Sequence, residues 1–351
     1  MRHVPVEVAS GRYEVVVGQG ARHGLAALVA ARLPGCGAAA VITQQRVVDE
    51  GWLDDLDVGV PATVHVIPEG EGAKTLGTVE QLCRELVAEG VSRRDVVVGV
   101  GGGVVTDVAG FAAAVHLRGV ALVLAPTTLL GQVDAAIGGK NGVNLPDGKN
   151  LVGTFHQPLG VLCDTAVLAT LPPREWASGR GEIAKYALLT ADDPAGLAGA
   201  PLDEQVAACA AIKASFIADD ELDTGRRALL NYGHTLAHAL ETTQAGSGDA
   251  ALRHGEAVAV GLAFAARLAE RLGRIDTARV VEHDDVLEVC GLDGLMPRDA
   301  SASALLDVMG RDKKAHHALT FVLDGEAGIE VVEDVDERDV LATLRAMGAT
   351  P

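Results

Sequence analysis

The sequence predicts an α/β layer built on a largely parallel sheet, followed by a mainly α-helical second part. Three observations carry that expectation. Through residue 165, short β-branched runs alternate with Ala/Leu stretches of helical period. One run leads directly into three consecutive glycines and a helical pattern. From about Asp164 the pattern changes, and Ala-rich stretches dominate as far as Glu270.

Taken in order, the apolar runs 13–17, 38–42, 63–67, 96–100 and 121–124 read as strands. Segment 78–89, with Val79, Leu82, Leu86 and Val87 on one face, reads as a helix between two of them. Pro172 and Pro173 open a long helical region, since proline fits a first helical turn. Segments 191–203 and 244–251 read as surface loops, and 319–322 with 328–332 as a closing strand pair. The acidic run 333–339 reads as a solvated face. The boundary falls near Thr165, giving domains 1–165 and 166–351, with no internal repeat.

Composition narrows the function classes. The 351 residues are 48% hydrophobic and 22% charged, enough apolar content for sizeable cores. A formal charge of -19 argues against nucleic acid as a partner, because phosphate binding runs on clustered Lys and Arg. The five cysteines are widely spaced without a CxxC, as in a reducing cytoplasm. No signal-peptide pattern opens the chain, and the longest apolar stretch, 96–115, is interrupted by glycines and Asp107, so no membrane span is expected. Of the 29 basic residues only seven are lysine: Lys74, Lys140, Lys149, Lys185, Lys213, Lys313 and Lys314. In a chain that otherwise uses arginine, isolated compact ammoniums suggest placement for chemistry.

Three segments carry that chemistry. Run 95–100, Gly101-Gly102-Gly103 and 104–115 read as strand, glycine turn and helix, where backbone N–H groups can approach a pyrophosphate. The spacing is neither the Rossmann fingerprint nor a P-loop. Glu71 and Lys74 before it, and Thr127-Thr128 after the next strand, fall in loops at strand C-termini that would surround such a ligand. In segment 227–241, read as one helix, Arg227, Asn231, His234, His238 and Glu241 share an arc of about 80°. The two histidines have the i, i+4 spacing of metal ligands, and Glu182 and His254 complete a candidate set. Spacing leaves open which three of Glu182, His234, His238 and His254 bind. Asp134, Lys140, Lys149 and Asn150 lie in or beside a Gly/Pro-rich stretch suited to an anionic substrate.

At these residues the sequence resembles the 3-dehydroquinate synthase family of sugar-phosphate cyclases, in motif order over nearly its whole length. The segments are 101–118 (GGGVVTDVAGFAAAVHLR), 126–150 (PTTLLGQVDAAIGGKNGVNLPDGKN), 153–158 (GTFHQP), 182–186 (EIAKY), 227–241, 254–258 (HGEAV) and 311–314 (RDKK). The glycine turn alone is shared with metal-dependent glycerol and alcohol dehydrogenases.

The resemblance implies an α/β N-terminal nucleotide-binding domain plus a mainly α-helical C-terminal domain. It implies conversion of 3-deoxy-D-arabino-heptulosonate 7-phosphate to 3-dehydroquinate and phosphate, with catalytic NAD and one divalent metal, zinc or cobalt. Glu182, His234 and His254 would be the ligands, and His238 would face substrate. Substrate positions would be Asp134, Lys140, Lys149, Asn150, Lys185, Lys213, Arg227, Asn231, His238 and one of Lys313 and Lys314. NAD contacts would come from Glu71, Lys74, Gly102, Gly103, Asp107, Thr127, Thr128, Lys140, Lys149 and Thr170. Arg118 resembles an arginine that reaches into a neighbouring subunit's site, implying a homodimer. The departures are Asn141 for a usual Thr, Leu236-Ala237 for Phe-Gly, and Thr43-Gln44-Gln45-Arg46 where an Asp and Asn often meet the adenosine end of NAD. Aminodehydroquinate, 2-epi-5-epi-valiolone and 2-deoxy-scyllo-inosose synthases, or a glycerol-dehydrogenase-like oxidoreductase, are the alternatives. The complete Lys/Arg/Asn/His set favours a carboxylate-bearing substrate.

Overall fold

Two β-branched runs, β3 (Ala39–Gln44) and β5 (Val96–Gly101), are buried along their whole length, as strands covered on both faces must be. They sit inside a seven-stranded sheet of the computed structural model, which describes residues 1–190, 192–244, 251–311 and 319–351. The first nine strands of the chain are β1 (Arg2–Val8), β2 (Gly11–Val17), β3, β4 (Ala62–Ile67), β5, β6 (Ala121–Pro126), β7 (Lys140–Leu145), β8 (Gly148–Phe155) and β9 (Gly160–Cys163), of which β7 and β8 pair apart from the sheet. The sheet order is β1-β2-β9-β6-β5-β3-β4, parallel throughout except for the β1–β2 hairpin. Helices α1 (Leu25–Arg32), α2 (Gln45–Asp49), α3 (Leu76–Ala88) and α4 (Gly103–Val115) connect the strands. Leu25, Val29, Val41, Val96, Val98, Val123 and Leu162 form a core against the sheet. Parallel order brings the C-terminal ends of β3, β5 and β6 together, where α/β sheets bind ligands.

The chain divides into two units, Met1–Pro172 with Leu202–Leu222, and Pro173–Pro201 with Asp223–Pro351. The second begins with α5 (Pro173–Thr190) and α6 (Pro194–Ala198). Helix α7 (Leu202–Asp219), which the sequence reading assigned to the second domain, packs with the first unit on β1, β2 and the π-helical turn Gly131–Ala135. The second unit then continues through α8 (His234–Thr243), α9 (His254–Arg271), α10 (Thr277–Val289) and α11 (Ala302–Arg311). It ends with the antiparallel pair β10 (Leu319–Leu323) and β11 (Glu330–Val335), then α12 (Glu337–Ala346).

Several local expectations change. The Gly/Pro-rich stretch within 134–158, for which the sequence predicts no strand, holds the β7–β8 hairpin, and Pro146-Asp147 occupy its turn. Strand β1 escaped notice because only Val4 and Val6 face inward on its alternating pattern. Part of 191–203 is helical because Asp193 caps α6, accepting from the Gly196 N–H, and Pro194 follows at its first position. The acidic run is exposed at Glu333, Asp334 and 336–338, as a solvated face requires, but it is split between β11 and the capped start of α12, where Asp336 accepts from the Arg338 N–H. Segment 227–241 is not one helix. Arg226–Asn231 is a 3-10 turn, Gly233 has φ 77, and α8 starts only at His234. The shared arc of Arg227 and Asn231 with the histidines is therefore not a helical face. Of segment 244–251, residues 245–250 lie outside the described residues.

Candidate functional site

In the second unit, glycines beside three chemical residues let backbones touch. A Cβ on Gly255 would lie 1.9 Å from the Ser178 carbonyl oxygen, and one on Gly181 would lie 2.1 Å from that of Gly255. Helices α5 and α9 therefore cross backbone to backbone, and the neighbouring side chains Glu182 and His254 meet. A Cβ on Gly261 would lie 1.9 Å from the Gly233 oxygen, so the start of α8 rests on α9 and His234 joins them. Only glycine permits that approach.

The result is a convergent donor set. Glu182 Oε1 is 3.3 Å from His234 Nε2 and 3.2 Å from His254 Nε2. One donor atom from each of the three lies within 4.8 Å of the others, the only such group among the described residues. His234 Nδ1 lies 3.0 Å from the Tyr232 carbonyl, which can only accept, so Nε2 carries the lone pair in the neutral ring. His254 Nδ1 faces Glu241 Oε2 at 3.5 Å, which has the same consequence for its Nε2. Two imidazoles and a carboxylate with the bonding nitrogens directed inward fit a zinc- or cobalt-like cation.

Electrostatics agree with that fit. Glu182 is fully buried; burial alone would raise its pKa, but Lys185, His234 and His254 hold it well below the usual carboxylate range. Lys185, also buried, forms an ion pair with the other Glu182 oxygen, and its ammonium lies 4.5 Å from the Tyr186 ring centroid. Burial pulls His254 down, but its contacts with Glu182 and Glu241 push it up to about 10. A cation entering there displaces that proton. Arg227 is buried on its 3-10 turn, whereas Asn231 and His238 are exposed. His238, which spacing left equal to the other candidates, is outside the donor group; its ring centroid lies 5.5 Å from that of His234.

The first unit holds the other predicted residues. Lys74 Nζ is 2.7 Å from Asp107 Oδ2 on α4 and donates to Asn150 Oδ1 at 2.5 Å. Burial pushes the Asp107 carboxyl up to about 6 despite that ion pair. Asn144, which sequence reasoning did not single out, ties the group together. Its amide donates to Glu71 Oε1 and its oxygen accepts from the Asn150 N–H, both at 2.8 Å. Lys213 on α7 donates to the carbonyl and Oδ1 of Asp134, each at 2.8 Å. A Cβ on Gly101 would sit 2.4 Å from Val105 Cγ2, so α4 turns tightly off β5 and presents the amides of Gly102 and Gly103 at its start. That cradle fits a pyrophosphate.

The remaining positions are more dispersed. Thr127 and Thr128 follow β6, and Thr128 Oγ1 accepts from the Gly131 N–H at 3.1 Å. Thr170 donates to Glu50 Oε2 at 2.6 Å and accepts from Trp52 Nε1 at 3.0 Å. Lys140 and Lys149 are exposed on the β7–β8 hairpin, and Arg118 is exposed with φ 67. The departures are structurally absorbed. Thr43 Oγ1 donates to the Val100 carbonyl at 2.7 Å, and Asn141 is buried, donating to the Gly139 carbonyl at 2.8 Å. Lys313 and Lys314 lie outside the described residues. No described helix is long and apolar enough to cross a membrane.

Residues 64–178 match the family described as 3-dehydroquinate synthase N-terminal, and residues 179–315 that described as 3-dehydroquinate synthase C-terminal. An Amycolatopsis mediterranei (strain S699) protein named "Putative aminodehydroquinate synthase" is 49% identical over 344 residues, covering 98% of this chain and 94% of that one. A 3-dehydroquinate synthase of Bradyrhizobium sp. (strain BTAi1 / ATCC BAA-1182) is 42% identical over 373 residues, covering 97% and 95%. The solved structure of 2-deoxy-scyllo-inosose synthase complexed with carbaglucose-6-phosphate, NAD+ and Co2+ superposes with a TM-score of 0.84 at 26% identity, covering 99% of this chain and all of that one.

Proposed function

The chain belongs to the 3-dehydroquinate synthase family, and from that premise we propose that it converts 3-deoxy-D-arabino-heptulosonate 7-phosphate to 3-dehydroquinate and phosphate. The observation that carries the reading is the convergence of Glu182, His234 and His254 beside buried Lys185. Those three side chains would hold one divalent metal, zinc or cobalt. The amides of Gly102 and Gly103, with Glu71, Lys74, Asp107, Thr127, Thr128 and Thr170, would hold NAD. Bound there, the metal would polarise a substrate oxygen while NAD takes up and returns a hydride, leaving no net redox change.

The chain's own residues would do the rest. Lys140, Lys149, Lys185 and Lys213, with Arg227 and one of Lys313 and Lys314, would clamp phosphate and carboxylate as charge-assisted donors. Asp134 keeps Lys213 aimed through two hydrogen bonds. Asn150, Asn231 and His238 would orient hydroxyls, so that ring closure proceeds largely by positioning. We read the protein as a cytoplasmic homodimer in which Arg118 completes the partner's site.

The name of the 49% identical relative favours one second reading, aminodehydroquinate synthesis. Phosphate release should be followed side by side from the heptulosonate phosphate, its amino-substituted counterpart, sedoheptulose 7-phosphate and glucose 6-phosphate, with NAD and zinc or cobalt supplied. Preference for the first supports the proposal; preference for the second replaces it. Release that survives removal of both NAD and metal sinks either. His254→Ala should lose metal and activity together, as read by metal analysis of the purified variant.

A further inference from the structure

The two histidines of the donor set are held by unlike partners. His234 Nδ1 meets a backbone carbonyl at 3.0 Å, a fixed acceptor set by the Tyr232–Gly233 turn. Among the described residues, His254 meets no such carbonyl. It is the first residue of α9, its side chain is 28% exposed against 12% for His234, and its Nδ1 faces the carboxylate of Glu241. Glu241 lies seven residues, about two helical turns, beyond His234 on α8, so one helix supplies a donor and the partner of another donor. The Glu241 side chain is itself only 13% exposed. It stands on the side of the imidazole away from Nε2 and is not a member of the convergent group.

We propose that Glu241 is a positioning residue for the metal centre, holding His254 by Nδ1–H so that Nε2 faces the cation. The inference rests on the metal reading of Glu182, His234 and His254. A carboxylate behind a ligating imidazole fixes its tautomer and ring plane and makes it a better donor, and loss of such a partner typically weakens metal binding about 10–100-fold.

The test compares the full chain with Glu241→Ala, Glu241→Gln and, on the same helix, Thr242→Ala. Cobalt affinity is measured by chelator competition, following the cobalt absorption bands, with metal-free unfolding recorded for each variant. Glu241→Ala should bind cobalt about 10–100-fold more weakly. Glu241→Gln keeps the shape and an acceptor for Nδ1–H, so it should fall between Glu241→Ala and the parent. Thr242→Ala should match the parent. Parental cobalt affinity in Glu241→Ala, or in Glu241→Gln should the alanine variant fail to fold, overturns the proposal while leaving the metal site standing. A parent chain with no one-to-one cobalt site that depends on His254 overturns the metal reading and the proposal together.

Discussion

Glu182 serves three neighbours with its two oxygens: one faces the two histidines and the other meets Lys185, with Glu182 and Lys185 both buried. Removing one partner of a buried ion pair leaves an uncompensated charge. Lys185→Met should therefore destabilise the metal-free protein by about 3 kcal/mol. Cobalt should restore part of that loss, because a ligand that binds only the folded chain stabilises it. Denaturant unfolding with and without cobalt measures both effects. His283 offers a second test. Burial lowers its pKa from 6.5, and its ring is committed as a neutral group: Nδ1 donates to the Arg279 carbonyl at 2.8 Å while Tyr232 O–H donates to Nε2 at 2.6 Å. The unfolded chain then binds more protons than the folded one below pH 6.5. Its stabilising contribution is complete above 6.5 and is lost as pH falls through the depressed folded value. His283→Gln should flatten that slope in a series of unfolding curves from pH 5 to 8.

At the scale of elements, the donor set depends on how closely α5, α8 and α9 approach. Gly255→Ala places a methyl 1.9 Å from the Ser178 oxygen and must push α5 and α9 apart. We expect a stability loss of about 1–3 kcal/mol, the usual range for overpacking, together with loss of cobalt binding in direct titration. Gly103→Ala is the contrast. Its Cβ would find only Ala135 Cβ at 3.7 Å, so that variant should fold with parental stability, and any defect should appear in NAD titrations alone. The sequence already held a sign of this geometry. Glu182, His234 and His254 each adjoin a glycine, whereas His238 stands between two alanines. Periodicity took segment 227–241 for a single helix because it does not register the left-handed Gly233 that starts α8 afresh.

For the whole molecule, oligomeric state and site composition are tested together. Arg118 and Leu117 both have left-handed φ angles, 67 and 50, on an exposed turn. If Arg118 completes the partner's site, Arg118→Ala and His254→Ala should each be inactive alone. Mixed and reassembled, they should recover about a quarter of parental phosphate release, because half the dimers are mixed and each carries one intact site. A fragment ending at Pro172 should fold poorly, since it lacks α7, whose Val206, Cys209, Phe216 and Ile217 are buried. Circular dichroism of that fragment reads the outcome.

The sequence by itself determined five of the seven strands of the central sheet, β1 and β9 being missed, together with the glycine turn and the family, because buried β-branched runs and contiguous motifs are local signals. It also contained every member of the donor set. Spacing left His238 open and the family resemblance set it outside that group, whereas tertiary structure alone decided that α7 packs with the first unit. It also placed Asn144 and Glu241 behind the residues that motifs name. Those outcomes depend on which backbones approach within a glycine's width of each other, and on which side chains face one another across elements far apart in the chain. Neither spacing nor period along a single segment carries that information.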